Sequence, residues 1–248
     1  MGQPALECED LEYWESDEDL LHRLSFRLEF GQGGLILTDS QIRSRLLLRI
    51  CATMGQPSKG KIRWFGRFEE HLTETQLVAL RRRIGWVHRE ARLVSNLTLL
   101  DNIVLGLIYH RNLTHREAHS QVQDLMKRFN IYDYRNLRPA EISFDLQRTA
   151  LYVREMAKQP RLFLFEAPAL DLDQGFGLLM QEISELASRG ESAFIISDIT
   201  AKEALPWVDW VLILNNKHYK LLAANQFDPV RDGNPTRWPE QNLRNVGH

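Results

Sequence analysis

The loop from Leu37 to Ser44 joins a short apolar strand to a long helical stretch. In a chain that alternates strands and helices, that is where phosphates are bound, at the carboxyl end of a strand and the amino end of a helix. A nucleoside-triphosphate site there needs glycines, so that backbone amides can reach phosphate, then a Lys and a Ser or Thr for charge and Mg²⁺. This loop supplies no glycine and no lysine–hydroxyl pair. Arg43, Arg45 and Arg49 instead fall at the spacing of a helix's first turns, placed to hold a phosphate or an acidic partner. Left unpaired, they cost stability at the positive end of the helix dipole. Other candidates carry less chemistry. His88 and His110 have no carboxylate at a fixed spacing that would make either catalytic. Arg81-Arg82-Arg83 suits a solvated helix terminus better than a lipid-headgroup patch. Cys8 and Cys51 stand at unrelated spacing, and no metal-ligand pairing of the C-x-x-C or H-x-x-x-H kind is expected.

The elements that would position this loop follow from composition and pattern. The chain has 248 residues, 44% hydrophobic and 26% charged, with a formal charge of −2. That suits one large α/β domain or two small ones, buries a core without a disulfide, and fits a reducing compartment. The near-zero charge argues against a nucleic-acid partner. The most apolar runs, Leu162–Phe165 and Val211–Leu214, are strand-length, short of the roughly 20 residues of a membrane span. Met1 to Asp19 carries eight acids and no Lys or Arg, so no signal peptide is expected.

Strands are expected at Leu24–Phe30, Gly34–Leu37, Ile62–Phe65, Ile84–Val87, Leu162–Phe165, Ala193–Ile196 and Val211–Leu214. Helices are expected at Ser40–Thr53, Thr73–Arg82, Thr114–Phe129, Ser143–Lys158, Gly177–Ser188 and Ala201–Leu205. Thr114-His115-Arg116-Glu117 is a capping box ahead of the apolar stripe Ala118, Val122, Leu125, Met126 and Phe129. Arg189-Gly190 ends a helix before the Ala193 strand. The acidic stretch Glu7 to Asp19 reads as an edge strand running into a charged turn, and Asn225 to His248 as an extended tail. Strands alternating with helices imply βαβ crossovers and a largely parallel sheet covered on both faces.

The order of segments resembles one family. Gly31, the strand Leu35-Ile36-Leu37, Leu47-Leu48-Arg49 and Pro57-Ser58-Lys59-Gly60-Lys61-Ile62 resemble the opening of an ABC transporter nucleotide-binding domain. Arg82-Arg83-Ile84-Gly85-Trp86-Val87 and Asn96-Leu97-Thr98-Leu99-Leu100-Asp101-Asn102-Ile103 are similar to its segment around the Q-loop. Arg138-Pro139-Ala140-Glu141-Ile142-Ser143, with Arg154 and Pro160 beyond, resembles the run through the signature helix. Leu162-Phe163-Leu164-Phe165-Glu166-Ala167-Pro168 and Leu172-Asp173 stand where Walker B and the D-loop belong. Ile195-Ile196-Ser197-Asp198 and Val208-Asp209-Trp210-Val211 resemble the switch and closing strands. The resemblance runs from about Leu6 to Leu222.

It implies an α/β ABC ATPase-type domain over 1–222, with a mainly parallel P-loop-like sheet, an N-terminal antiparallel β part and a helical signature subdomain at about 93–158. A tail follows at 223–248. The motif positions themselves depart from the family. The P-loop falls on Thr38-Asp39-Ser40-Gln41-Ile42-Arg43-Ser44-Arg45, with Thr38 and Arg43 at its glycines, Ser44 at its lysine and Arg45 at its Mg²⁺-binding hydroxyl. The Q-loop glutamine falls on Arg89, and the signature becomes Ile142-Ser143-Phe144-Asp145-Leu146, which keeps Ser143. Ser143 also reads simply as a helix N-cap. The Walker B aspartate falls on Glu166, a residual Mg²⁺ ligand or a structural acid. The general base falls on Ala167 and the switch histidine on Asp198, and Trp14 or Tyr13 would stack on adenine.

The resemblance therefore implies a pseudo-ATPase, closest in look to the ATPases of MCE (Mla-type) lipid transport systems, with lipoprotein-release and macrolide-export ATPases next. Such a subunit sits peripherally at the cytoplasmic face of the inner membrane. It docks on a permease subunit through the surface between Arg89 and Asn102 and pairs as a homodimer or as a heterodimer with an ABC ATPase. No catalytic residue, metal or cofactor is expected, with Mg-ATP only if residual binding persists. Two other readings stay open: a weakly active ATPase using Arg43 or Arg45 in place of lysine, and a soluble scaffold without a permease.

Overall fold

The computed structural model describes residues 3–15, 18–68, 72–111, 113–172, 175–198, 202–215 and 218–232. In chain order the strands are β1 (Leu6–Glu15), β2 (Glu18–Leu28), β3 (Gly33–Thr38), β4 (Lys59–Trp64), β5 (Arg67–Phe68), β6 (Ile84–Val87), β7 (Leu162–Glu166), β8 (Ala193–Asp198), β9 (Trp210–Leu214) and β10 (Tyr219–Ala223). The helices are α1 (Gln41–Cys51), α2 (Glu74–Arg81), α3 (Leu99–Arg111), α4 (His115–Arg128), α5 (Phe144–Ala157), α6 (Pro168–Asp171) and α7 (Phe176–Ser188). A six-stranded sheet runs β10-β9-β3-β8-β7-β6, and a four-stranded one runs β2-β1-β4-β5. The larger sheet is parallel except for the antiparallel β9–β10 pair, and the smaller is antiparallel.

The continuous apolar runs of the central strands follow from burial on both faces. Side chains alternate across a strand, so Phe163 and Phe165 of β7 join one core and Leu162 and Leu164 the other. The first core gathers Leu35, Leu37, Phe194, Ile196, Val211 and Ile213 with the apolar faces of α3, α4, α5 and α7. The second gathers Ile36, Ile195, Leu212 and Leu214 with Leu47, Leu48 and Ile50 of α1 and the inner face of the antiparallel sheet. Helix α1 is thereby clamped between the two sheets, and its amino end lies at the carboxyl end of β3. Both cysteines are buried free thiols, and burial pushes the Cys8 thiol well above its ordinary value.

The parallel sheet, the antiparallel N-terminal part and five of the six expected helices are where the sequence places them, and the Thr114–Glu117 capping box forms. Several details differ. The acidic stretch is an interior strand: β1 lies between β2 and β4, because its acids meet bases across the strands. Glu7 pairs with Arg27 and Arg63, Glu9 with Arg63, and Glu12 with Arg23 and Lys59. The turn expected after it includes residues 16 and 17, outside the described residues. The unexpected α3 buries Leu99, Asn102, Ile103, Val104 and Leu107 in an apolar stretch whose helical period is blurred. The expected helix Ala201–Leu205 is a turn leading into a single 3-10 turn at Leu205–Trp207; Ala201 is outside the described residues. The stretch read as a tail starts folded. Ala224–Gln226 forms a 3-10 turn, Phe227 is buried in the core, and Asp232 is buried against Lys220 and Arg231. Residues 233–248 are outside the described part.

Strand β3, which delivers the loop, passes between two aromatic rings. A Cβ on Gly33 would stand 2.1 Å from the ring of Phe194, its register partner on β8. One on Gly34 would stand 2.3 Å from the ring of Trp210, its partner on β9. Gly34→Ala is therefore expected to destabilise the chain by about 1–3 kcal/mol through overpacking. Urea denaturation should show a lower midpoint at unchanged slope.

Candidate functional site

The residues at the P-loop positions fold as a tight turn and a helix start. Helix α1 begins at Gln41 with Ser40 as its N-cap. The amide of Arg43 donates to the Ser40 side chain at 3.4 Å and to its carbonyl at 3.1 Å, and the amide of Ser44 donates to that carbonyl at 3.2 Å. The amide of Ser40 donates to Thr38 Oγ1 at 3.1 Å. These N–H groups, which a phosphate would otherwise receive, are satisfied from within the chain. Arg43, only 4% exposed, turns inward: its Nε donates to the Leu20 carbonyl at 3.0 Å and a terminal nitrogen to Asp39 at 2.7 Å. Ser44 is buried and donates to the Gln41 carbonyl, while Ile42 faces solvent.

At the end of β7 the buried Glu166 has both carboxylate oxygens engaged. Oε1 accepts from Arg45 Nε at 3.0 Å, and Oε2 accepts from the Arg89 amide at 3.1 Å. Arg45 also reaches Glu90 at 2.8 Å, and hydrogen bonding to Glu166 raises its pKa further above the ordinary guanidinium value. Thus Arg45, Arg89 and Glu166, which the resemblance aligns with the Mg²⁺ hydroxyl, the Q-loop glutamine and the Walker B acid, do converge, around a guanidinium. Mg²⁺ demands oxygen ligands at about 2.0–2.1 Å in near-octahedral array. A carboxylate already accepting two N–H groups beside a fixed positive charge does not fit that ion unless the Arg45 pair opens.

The remaining positions scatter by role. Ala167 heads α6 in a left-handed conformation at φ +49°, its amide bonded to the Ser197 carbonyl at 2.9 Å, and offers no group to orient a water. Asp198 ends β8, buried, in register with Leu37 of β3. Ser143 is exposed and caps α5, accepting from the Leu146 amide at 3.4 Å. Trp14 is exposed with Lys59 Nζ 5.2 Å from its ring centre, so a cation already occupies one face; Tyr13 packs against the core. Asp173 lies outside the described residues. Burial lowers the pKa of His88, whose ring lies 4.7 Å from that of Trp86, tilted by 35°.

One buried polar cluster is not apparent from the motifs. Arg148 of α5, 1% exposed, forms a short ion pair with Asp171 of α6 and donates to the carbonyls of His88, Arg89 and Ala91. Tyr152, one turn on, donates to the same Asp171 oxygen at 2.8 Å. Burial, followed by the Asp171 charge, pushes the Tyr152 phenol well above its ordinary value. The signal was an Arg and a Tyr at i, i+4 on the apolar stripe of α5. This cluster holds the backbone of Arg89 against Glu166 from behind. A second overlooked signal is His115-Arg116-Glu117-Ala118-His119, an H-x-x-x-H spacing that overturns the expectation of none. Asp171→Ala is expected to cost about 3–5 kcal/mol by stranding a buried cation. An Arg148→Met/Asp171→Leu double variant should recover much of that in a denaturation-based double-mutant cycle.

Comparison with known proteins places this geometry. The model of the ABC transporter family matches residues 44–169, just over half of the chain. The intermembrane phospholipid transport system ATP-binding protein MlaF of Escherichia coli (strain K12) is 25% identical over 94% of this chain and 93% of its own length. The octopine permease ATP-binding protein P of Rhizobium meliloti is 27% identical over 72% of each chain. The dimeric structure of a post-hydrolysis state of the ATP-binding cassette MJ0796, bound to ADP and Pi, superposes with a TM-score of 0.80 at 19% identity. It covers 90% of this chain and 100% of that one. Fold, order of motifs and family model agree: the chain belongs to the ABC transporter family.

Proposed function

We propose that this chain is a catalytically degenerate ABC-type subunit of a membrane transporter. The observation that carries the reading is the Arg45–Glu166 pair with the Arg89 amide, which fills the place of the family's Mg²⁺ and nucleotide with the chain's own charge. Three further features support it. No lysine stands at the P-loop, Ala167 replaces the general base, and Asp198 replaces the switch histidine. Each loss removes a separate electrostatic contribution to phosphoryl transfer. Residual hydrolysis with Arg43 or Arg45 standing in for lysine is disfavoured by their pairing: Arg43 is buried against Leu20 and Asp39, and Arg45, though partly exposed, is held by Glu166 and Glu90.

The subunit docks peripherally on an inner-membrane permease at its cytoplasmic face, through the surface between Arg89 and Asn102. Among the described residues no helix is long and apolar enough to cross a membrane. It pairs with a second copy or with another ABC ATPase, and its cargo is lipid or another hydrophobic substrate of an MCE-type system. The similarity to MlaF, named for phospholipid transport, supports that class.

Isothermal titration of the purified chain with Mg-ATP tests the reading. No saturable heat is expected up to about 1 mM, a binding free energy weaker than about −4.1 kcal/mol, and no phosphate release above a protein-free control. Micromolar binding with turnover would replace this reading with an active ATPase. Affinity purification from solubilised membranes should recover a permease and, for a heterodimer, an intact ABC ATPase. Recovery of the chain alone would favour a soluble scaffold.

A further inference from the structure

Three side chains with metal-ligand chemistry meet where α3 packs on α4. His115 and His119 stand four residues apart, in the first two turns of α4, and so on one face. Asp101 comes from the first turn of α3. One ligand atom from each of the three lies within 4.8 Å of the others. His119 Nε2 faces Asp101 Oδ1 at 3.8 Å, too far for a hydrogen bond. That nitrogen is shielded from solvent and has no hydrogen-bond partner among the described residues. A buried polar atom left so is costly unless something else satisfies it. The other oxygen of Asp101 is held by the Thr98 hydroxyl at 2.6 Å, while the Asp101 amide donates back to that hydroxyl at 3.1 Å. Oδ1 is therefore aimed at the imidazoles by an outer hydrogen bond, the arrangement that orients carboxylate ligands in metal sites.

We propose that Asp101, His115 and His119 form a binding site for a transition-metal dication of the Zn²⁺ class. Two imidazole nitrogens and one carboxylate oxygen suit Zn²⁺, whereas Ca²⁺ and Mg²⁺ prefer all-oxygen shells. Zinc–ligand bonds of about 2.0–2.1 Å place tetrahedral ligand atoms about 3.3 Å apart, so the His119–Asp101 pair closes by about 0.5 Å on binding. His115 is exposed and can swing to complete three ligands, leaving a fourth position to water. The bound ion ties the start of α3 to α4, and Asp101 falls inside the segment between Arg89 and Asn102. The site uses none of the nucleotide positions.

The test is titration of the metal-stripped full chain with Zn²⁺ against a chromophoric chelator, and with Co²⁺ followed by visible absorption. One Zn²⁺ per chain at micromolar free metal is expected, with Co²⁺ bands of a four- or five-coordinate site. Removing an outer hydrogen bond typically costs about 10–100-fold in metal affinity, so loss of a ligand in His119→Ala or Asp101→Asn should cost about 100-fold or more. His115→Gln, at an exposed position that tolerates substitution, should lower affinity in a chain whose circular dichroism is unchanged. His218→Gln should change nothing. No binding at micromolar Zn²⁺, or binding that survives both His115→Gln and His119→Ala, would overturn the proposal.

Discussion

A buried carboxylate at the end of a central strand needs a counter-charge, and much of this site is arranged around how Glu166 obtains one. In a low-dielectric position, an unpaired carboxylate is strongly destabilising. Glu166 is satisfied by the Arg45 guanidinium from α1 and the Arg89 amide from the segment after β6. Each partner is fixed in turn. Arg45 rides on a helix whose start is set by the Ser40 cap and by Arg43 locked on Leu20 and Asp39. Arg89 is backed by Arg148, which is held by Asp171. Helix α1, the end of β7 and the segment after β6 are thus linked at one point by side chains the sequence encodes.

The framework that this chain shares with the ABC transporter family rests on residues outside the segment aligned with the P-loop. The two cores, the threading of β3 between Phe194 and Trp210, and the clamping of α1 depend on apolar side chains and on Gly33 and Gly34. None of them depends on the P-loop glycines. Those glycines serve close approach of backbone to phosphate. With Thr38 and Arg43 in their place, the segment is a turn and helix start in which the amides of Ser40, Arg43 and Ser44 are internally bonded.

Much of this was legible in the sequence. The β7 and β8 runs are plain because Leu162–Phe165 and Ala193–Ile196, buried on both faces, are apolar throughout, and the capping box announces α4. The convergence on Glu166 was half legible: the substitutions could be read, but the reach of Arg45 to Glu166, 121 residues away, is a property of packing. The placement of β1 was missed because charge on a strand reads as exposure, whereas its acids are matched by bases on both flanking strands. Helix α3 was missed because it is apolar on too many sides to show a period. The Arg148–Asp171 pair has no motif, and the His115–His119 spacing lies in a stretch whose cap and apolar stripe dominate its reading.

Amide hydrogen exchange over Thr38 to Arg49 in the free chain, repeated with saturating Mg-ATP, distinguishes a site satisfied from within from one that awaits nucleotide. The amides of Arg43 through Arg49 are expected to be protected already without nucleotide, and Mg-ATP to leave protection there and at Arg89 unchanged. Rapid exchange across the start of α1 in the free chain, converted to protection by Mg-ATP, would contradict a site satisfied from within.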